Sequence, residues 1–295
     1  MIRLSINVRE LAVDEIGNCV EIVYDETELL VTLDFGPRIV SAKKGGENLI
    51  FNGPDSALGR SCGHKMRITL DKSTNGIYCD NSPVRYSLLP DGVSFEQSII
   101  DPVQLEVFMD IYFTENGELT VEHRVHNKSK EELKLSIYTE TPFVTDGFVF
   151  VPQSEIVNPE RPTNILTLWE GCKWSDKRLF IGDKYVTVRT APAQGCPERL
   201  KIGVNDTDGL AGFVSPGGMI TKSFTHNTSA LYPFYNCSAF ATAEEECLTI
   251  QMTSPFFLVE PDEAARHLEV WSISDSGSDA AFDDEKAIGG IFENN

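Results

Sequence analysis

Apolar and polar residues alternate along most of the chain, the pattern of β-strands with one buried face. In the first fifty residues the alternating runs are separated by turn signals at Asp25-Glu26, at Phe35-Gly36-Pro37 and around Gly45-Gly46. The apolar positions of these runs are Val20, Ile22, Val23, Leu29, Leu30, Val31, Leu33, Ile39, Val40, Ala42, Leu49, Ile50 and Phe51. Such spacing predicts short strands of an all-β domain.

The same period continues through the middle and the second half of the chain. One strand face carries Leu105, Val107, Met109, Ile111 and Phe113, and a later one carries Leu119, Val121, His123 and Val125. Asn116-Gly117 between them is a hairpin signal, because both residues tolerate positive φ. Another strand starts with Leu133, Leu135 and Ile137. Further strands are predicted over Phe148 to Val151, Lys184 to Arg189, Leu210 to Val214, Met219 to Phe224, Cys247 to Met252 and Leu268 to Ile273.

Helical periodicity is confined to the C-terminus. A short helix is predicted from Asp283 to Phe292, although Gly289-Gly290 weakens its helix propensity. No composition shift marks a linker elsewhere in the chain. We therefore expect one all-β domain over residues 1–274, followed by an acidic tail over residues 275–295.

Charge narrows the possible partners. The 295 residues include 25 Lys and Arg against 45 Asp and Glu, a net charge of −20 with a pI near 4.6. This surface repels phosphate backbones and anionic lipid, which argues against nucleic acid and membrane as partners. A neutral small molecule meets no such penalty. The oligomeric state is not predicted by these features.

The expected compartment is the cytoplasm. No apolar run approaches the about 18 residues of a transmembrane helix, and the N-terminal residues lack a secretory signal pattern. The seven cysteines are odd in number and form no C-x-x-C pair, which argues against a disulfide framework or a zinc ribbon. We expect reduced thiols and no metal site.

A basic segment, Gly59 to Arg67, is the first candidate for ligand chemistry. Arg60 and Arg67 offer planar donors, while His64 and Lys65 add further hydrogen-bond donors. These groups suit an oxygen-rich ligand such as a sugar or a sugar acid. The alternative is a surface loop whose cations offset nearby carboxylates.

Three strand residues are further candidates. His123 shares a face with Leu119 and Val121, so it is either a buried core residue or a proton-transfer group. Glu140 ends a polar face opposite Leu135 and Ile137, where it is either solvated or a general base. Gln251 points away from the apolar side of its strand and can bind a hydroxyl, but it cannot move a proton.

Loop aromatics could stack on sugar rings, or could simply pack within the loops. They are Trp169, Trp174, Tyr232, Phe234 and Tyr235. The common signatures of serine hydrolases, P-loop proteins, zinc proteases and dinucleotide-binding proteins are absent from the sequence.

Taken in order, several segments resemble the galactose mutarotase-like superfamily, nearer to its uncharacterised aldose-epimerase-like branch than to the well-known aldose 1-epimerases. The resemblance covers roughly residues 18–274. Its segments are Gly36-Pro37-Arg38-Ile39, Asn48-Leu49-Ile50-Phe51, Gly63-His64-Lys65-Met66, Tyr78 to Val84, Asn116 to Val121 with Asn127, Lys201-Ile202-Gly203, Lys222-Ser223-Phe224, Ser254-Pro255 and His267 to Trp271. The resemblance implies an antiparallel β supersandwich that holds a carbohydrate, with no cofactor or metal.

Mutarotases of this superfamily interconvert sugar anomers with a glutamate base and a histidine acid, and this chain departs from that pattern. Gln251 falls at the position of the glutamate, and Glu140 falls near that of the histidine. The resemblance then implies Glu140 as base, with His64 or His123 as acid. The expected substrate-binding residues are Arg60, Lys65, Arg67, Lys222, Gln251 and Trp169.

Two other functions compete with an aldose 1-epimerase. One is a non-catalytic sugar-binding module that has lost the acid–base pair, which Gln251 favours. The other is a different carbohydrate enzyme, because one fold hosts several chemistries.

Overall fold

Antiparallel strands make up most of the protein in a computed structural model. The structure describes residues 6–53, 62–71, 77–78, 82–101, 103–114, 118–153, 166–190 and 199–293. The described strands form three sheets of ten, eight and four strands. The all-β fold predicted from the alternation is confirmed.

The four-stranded sheet is formed by consecutive N-terminal strands in the order β1-β2-β3-β4. Their bounds are β1 Asn7–Val13, β2 Gly17–Tyr24, β3 Thr27–Thr32 and β4 Ile39–Lys44. Its apolar face joins the main core, where the rings of Tyr24 and Phe113 stack at 4.7 Å between centroids. This sheet therefore packs on the main core and contacts β9 of the ten-stranded sheet.

The eight-stranded sheet has the order β13-β16-β19-β20-β11-β5-β6, and β21 also pairs with β11. Its strands are β5 Lys65–Leu70, β6 Ile77–Tyr78, β11 Leu133–Phe143, β13 Leu166–Leu168, β16 Leu200–Val204, β19 Ala239–Ala243, β20 Leu248–Thr253 and β21 Phe257–Val259. The long β11 lies near the middle of the sheet.

The ten-stranded sheet has the order β14-β15-β12-β17-β18-β22-β10-β9-β8-β7. Its strands are β7 Val84–Leu89, β8 Gly92–Ile100, β9 Leu105–Phe113, β10 Leu119–Asn127, β12 Phe148–Pro152, β14 Leu179–Ile181, β15 Tyr185–Arg189, β17 Leu210–Ser215, β18 Gly218–Phe224 and β22 Ala264–Ser274. The last strand begins four residues before the predicted Leu268, because Ala264 to His267 pair with β10. The prediction missed these residues because their apolar alternation is weak.

The main core lies between the sheets. Phe143 of the eight-stranded sheet stacks on Phe213 of the ten-stranded sheet, with 4.8 Å between ring centroids and 7° between ring planes. Both rings are fully buried, which contributes on the order of 1.5–3 kcal/mol each. The contact fixes the two sheets face to face.

The C-terminal segment packs on the outer side of the ten-stranded sheet. It ends in helix α2, Glu285–Glu293, close to the predicted 283–292. Ile288 of α2 is fully buried against Phe148 and Phe150, and the Glu285 carboxylate accepts the backbone N–H groups of Lys184 and Tyr185. The acidic segment is therefore attached to the sheet.

A single short turn completes the helical content of the described residues. It is α1, Pro233–Asn236, in which Phe234, Tyr235 and Asn236 all have positive φ. Neither α1 nor α2 has the length and apolarity needed to cross a bilayer. The predicted hairpin at Asn116-Gly117 lies outside the described residues.

Candidate functional site

A groove of about 890 Å³ opens on the face of the eight-stranded sheet that points away from the main core. Its floor crosses five neighbouring strands, β5, β11, β20, β19 and β16. Trp169, Phe234 and the turn Glu244 to Cys247 line its sides. The volume lies within the range of small-molecule sites.

Glu140 on β11 lies in the floor of this groove. In the sheet register it is directly opposite Lys65 on β5 and Gln251 on β20, so the three side chains form one row on the same face. Its Oε2 accepts a hydrogen bond from Arg67 Nε at 2.9 Å and lies 3.5 Å from Lys65 Nζ. Its Oε1 accepts from Gln251 Nε2 at 2.9 Å. These contacts fix the position of the carboxylate.

Two buried oxygen atoms in the groove floor have no hydrogen-bond partner among the described residues. They are Gln251 Oε1 and Thr242 Oγ1, on the neighbouring strands β20 and β19. The Gln251 amide is oriented by donating to Glu140, so its carbonyl oxygen remains as an acceptor. Because leaving buried polar atoms unpaired costs about 1–3 kcal/mol each, a ligand hydroxyl here gains an added advantage.

One side of the groove is aromatic. Trp169 and Phe234 line it together with the buried Tyr138, and the Phe240 ring packs behind them at 5.3 Å from Trp169 and 5.9 Å from Phe234. Flat apolar rings beside polar groups are well suited to the faces and hydroxyls of a sugar.

Solved structures share this arrangement of sheets. A putative aldose 1-epimerase from Escherichia coli K12 aligns with a TM-score of 0.55 at 13% identity, over 91% of this chain and 99% of the other. A galactose 1-epimerase from Lactobacillus acidophilus aligns with a TM-score of 0.52 at 13% identity, over 92% and 99%. The fold is galactose mutarotase-like.

The same fold also occurs as a part of a longer protein. A TPR-domain containing protein from Parabacteroides distasonis aligns with a TM-score of 0.58 at 13% identity, over 95% of this chain and 55% of its own. No protein-family profile matches the sequence, and no curated protein is significantly similar to it. The likeness is one of fold, which agrees with the resemblance seen in the sequence.

The groove brings together five of the predicted catalytic and substrate-binding residues. Glu140, Lys65, Arg67, Gln251 and Trp169 all line it. Among the other loop aromatics, Phe234 lines the groove, Tyr232 is buried, and Trp174 and Tyr235 are exposed on the surface. Arg60 lies outside the described residues.

His64, His123 and Lys222 are not in the groove, contrary to the expectation that they act on or hold a substrate there. All three side chains are fully buried between the sheets. Since successive strand residues point to opposite faces, Lys65 in the groove places the preceding His64 on the inner face. The Nε2 atoms of His64 and His123 lie 2.9 Å apart, and one donates to the other.

These inner-face residues form a hydrogen-bonded cluster around Glu269. Lys222 Nζ donates to Glu269 Oε2 at 2.6 Å and to Thr141 Oγ1 at 2.7 Å, and His64 Nδ1 lies 2.9 Å from that hydroxyl. Trp271 Nε1 also donates to Glu269 Oε2, at 2.9 Å. The chain thus pairs a buried cation with a buried anion, which a charged group inside a protein requires.

Burial sets the protonation of the two histidines. Desolvation lowers the pKa of His64 well below its usual value, and it lowers the pKa of His123 to about 3. Both rings are therefore neutral at physiological pH. A cavity of about 20 Å³ borders His123, which is room for about one water molecule and too small for a sugar.

The sequence interpretation assigned no role to Lys201, which also lines the groove. It lies on β16 between the buried Leu200 and Ile202, facing the opposite side of the sheet. The signal in the sequence that could have pointed to Lys201 was a single lysine within an apolar alternation. Of the residues the structure describes, no three His, Cys, Asp or Glu side chains are grouped so as to hold a metal ion.

Proposed function

We propose that the groove binds a carbohydrate and that the protein interconverts sugar anomers as an aldose 1-epimerase, with Glu140 as the base. The observation that carries this proposal is the Glu140 carboxylate, held in the floor of a sugar-sized groove by Arg67, Lys65 and Gln251. Two structural neighbours with the same fold, a putative aldose 1-epimerase and a galactose 1-epimerase, support it.

The lining of the groove suits an uncharged saccharide. The described lining includes four cationic and four acidic side chains, so their formal charges cancel. They are Lys65, Arg67, Arg199, Lys201, Glu140, Glu244, Glu245 and Glu246. With no net charge to select a ligand, selectivity for a saccharide comes from the unpaired oxygen atoms of Gln251 and Thr242 and from the aromatic side at Trp169 and Phe234.

The position of Glu140 is compatible with proton abstraction. Among the described residues, Oε1 accepts only the Gln251 hydrogen bond, so a second lone pair of this oxygen can accept the proton of the anomeric hydroxyl. The two basic partners, Lys65 and Arg67, both contact Oε2 and leave Oε1 to the Gln251 amide. Removal of the hydroxyl proton, with protonation of the ring oxygen, opens the ring and allows the other anomer to form.

Anomer exchange measured by NMR tests the proposal. Wild-type protein should accelerate exchange of galactose, glucose or a sugar phosphate above the buffer rate. Glu140→Gln should lower that rate by at least 100-fold, as expected for a lost general base, while sugar binding measured by calorimetry persists. Glu21→Gln is a matched control. It also removes a strand carboxylate that is paired with an arginine, but Glu21 lies on β2, outside the groove. Undiminished exchange in Glu140→Gln rejects the base assignment.

A non-catalytic sugar-binding protein is the second candidate. It is favoured by the pairing of Glu140 with two cations and by the placement of both histidines outside the groove. Under this alternative, calorimetry detects sugar binding that Trp169→Ala weakens, while exchange in the presence of wild-type protein runs at the buffer rate. The two measurements together separate the candidates.

A further inference from the structure

The groove contains a buried amine that the Glu140 assignment does not use. Lys201 Nζ donates a hydrogen bond to the Tyr138 hydroxyl at 3.0 Å. Three aromatic rings surround the amine, at 4.6 Å from Phe240, 4.8 Å from Trp169 and 5.5 Å from Tyr138, measured to the ring centroids. Lys201 is only 7% exposed, yet it lines the groove. It is held in a defined position beside the space for a ligand.

No carboxylate of the described residues lies within ion-pair distance of this amine, unlike the other buried lysines, Lys65 and Lys222. Desolvation is the main cause that lowers the pKa of Lys201, to about 7. The charges of Arg199 and Arg67 lower it further, whereas those of Glu140 and Cys237 oppose the shift. The side chain can therefore exchange a proton near neutral pH, which an exposed lysine does poorly.

Lys201 and Glu140 lie on the same groove face but on different strands. β16 and β11 are separated by β19 and β20, which is roughly 14 Å along the floor at the usual strand spacing. Long side chains bring the functional groups closer than their backbones, as the hydrogen bond from Lys201 to Tyr138 of β11 demonstrates. A saccharide lying across the groove floor can therefore contact both residues.

We propose that Lys201 is the proton donor of the groove, with Tyr138 as the positioning residue that orients its amine. This inference rests on the proposed function. The Glu140 carboxylate takes the proton of the anomeric hydroxyl, and the Lys201 ammonium gives a proton to the ring oxygen. The bond between the anomeric carbon and the ring oxygen breaks with its electron pair on that oxygen, and a carbonyl forms at the anomeric carbon. Ring closure after rotation reverses both transfers, so protons and electrons balance.

Variants of the two residues test this assignment through the anomer exchange rate. Lys201→Met preserves length and removes the proton, and it should lower kcat by at least 100-fold while changing KM less. Lys201→Arg keeps the charge but cannot release its proton at neutral pH, so it should be similarly slow. Tyr138→Phe should retain more activity than either and should shift the pH profile. Lys177→Met, at an exposed lysine outside the groove, is the matched control.

The pH dependence provides a readout that a structural role would not produce. Because the acid must be protonated, the wild-type rate should fall as pH rises through about 7, and this limb should be absent in Lys201→Arg. Labelling of the amines with acetic anhydride at several pH values should give a midpoint for Lys201 well below the about 10.4 of an ordinary lysine. Circular dichroism of each variant checks that it folds.

The possible results separate this inference from the proposed function. If wild-type protein accelerates exchange and folded Lys201→Met accelerates it equally, the Lys201 assignment alone is overturned. A Lys201 labelling midpoint equal to that of exposed lysines also overturns it. If wild-type protein accelerates exchange of none of the sugars tested, the proposed function fails, and the assignment of a proton donor fails with it.

Discussion

Acidification should destabilise this fold through a histidine that never contacts solvent. His123 is fully buried on β10, where desolvation lowers its pKa to about 3. In the unfolded chain the ordinary pKa of about 6.5 applies. As pH falls below 6.5 the unfolded chain gains a proton that the folded chain does not accept until about pH 3. Stability contributed by the neutral ring is therefore complete above pH 6.5 and declines between pH 6.5 and 3.

The magnitude follows from proton linkage. Between pH 7.5 and pH 5.0, one such histidine lowers the free energy of unfolding by about 2 kcal/mol. His64, whose pKa is also lowered by burial, acts in the same direction. Glu269 has a lowered pKa, so its contribution is present above its unfolded pKa of about 4.5 and is lost below it. The interval from pH 7.5 to pH 5.0 lies above the pH at which the contribution of Glu269 is lost.

The informative perturbation is His123→Gln, which retains a hydrogen-bonding side chain near His64 but does not titrate. Urea denaturation followed by tryptophan fluorescence gives the free energy of unfolding at both pH values. The free energy of unfolding that is lost between pH 7.5 and pH 5.0 should be smaller in the variant than in wild-type protein by about 2 kcal/mol. His126→Gln, a half-buried histidine on the same strand, should change the loss much less.

If wild-type protein and a folded His123→Gln variant lose the same free energy of unfolding on acidification, the destabilisation does not come from His123. A direct check needs no variant. The ring proton shifts of His123 in an NMR titration should stay those of a neutral imidazole from pH 7.5 to pH 5.0. A midpoint near 6.5 would show that the ring is solvated, contrary to its position between the sheets.

Two further predictions concern stability at pH 7.5, measured by urea denaturation. Lys222→Met should lower the free energy of unfolding by about 3–5 kcal/mol, because it leaves the Glu269 carboxylate buried without its cation. The double variant with Glu269→Gln should recover part of that loss, and a double variant no more stable than the single one contradicts the explanation. Tyr235→Gly should raise the free energy by about 1 kcal/mol, since Tyr235 has φ of 63° and is 83% exposed. An unchanged or lower value would show that the left-handed turn is not strained.

Much of the fold was predictable because strand periodicity depends on local sequence. The alternation around Leu105 and Leu119 predicted β9 and β10 close to their observed bounds. It failed at the start of β22, where pairing with β10 extends the strand to Ala264 although the local apolar pattern is weak. Sheet order and the partner of each strand connect residues distant in the chain, so no local pattern could supply them.

The candidate site was predictable in part, for the same reason. Alternation placed Glu140 and Gln251 on polar faces of their strands, and both line the groove. The basic segment was treated as one unit, either a ligand site or a surface loop that offsets carboxylates. The structure instead begins β5 at Lys65 and divides the described part of the segment between two faces. Lys201 was missed because its reactivity comes from burial among rings on other strands, which its own neighbours in sequence do not reveal.

Local alternation alone shows which residues share a strand face, because every second side chain of an extended chain points to the same side. It thereby separated Glu140 from Thr139, whereas His64 and Lys65 were separated only by the start of β5. Tertiary structure decided which of the two faces meets the opposite sheet and which lines the groove. That choice depends on packing between distant strands, and it sets desolvation and hence charge: the buried histidines remain neutral, and the amine of Lys201 titrates near neutral pH.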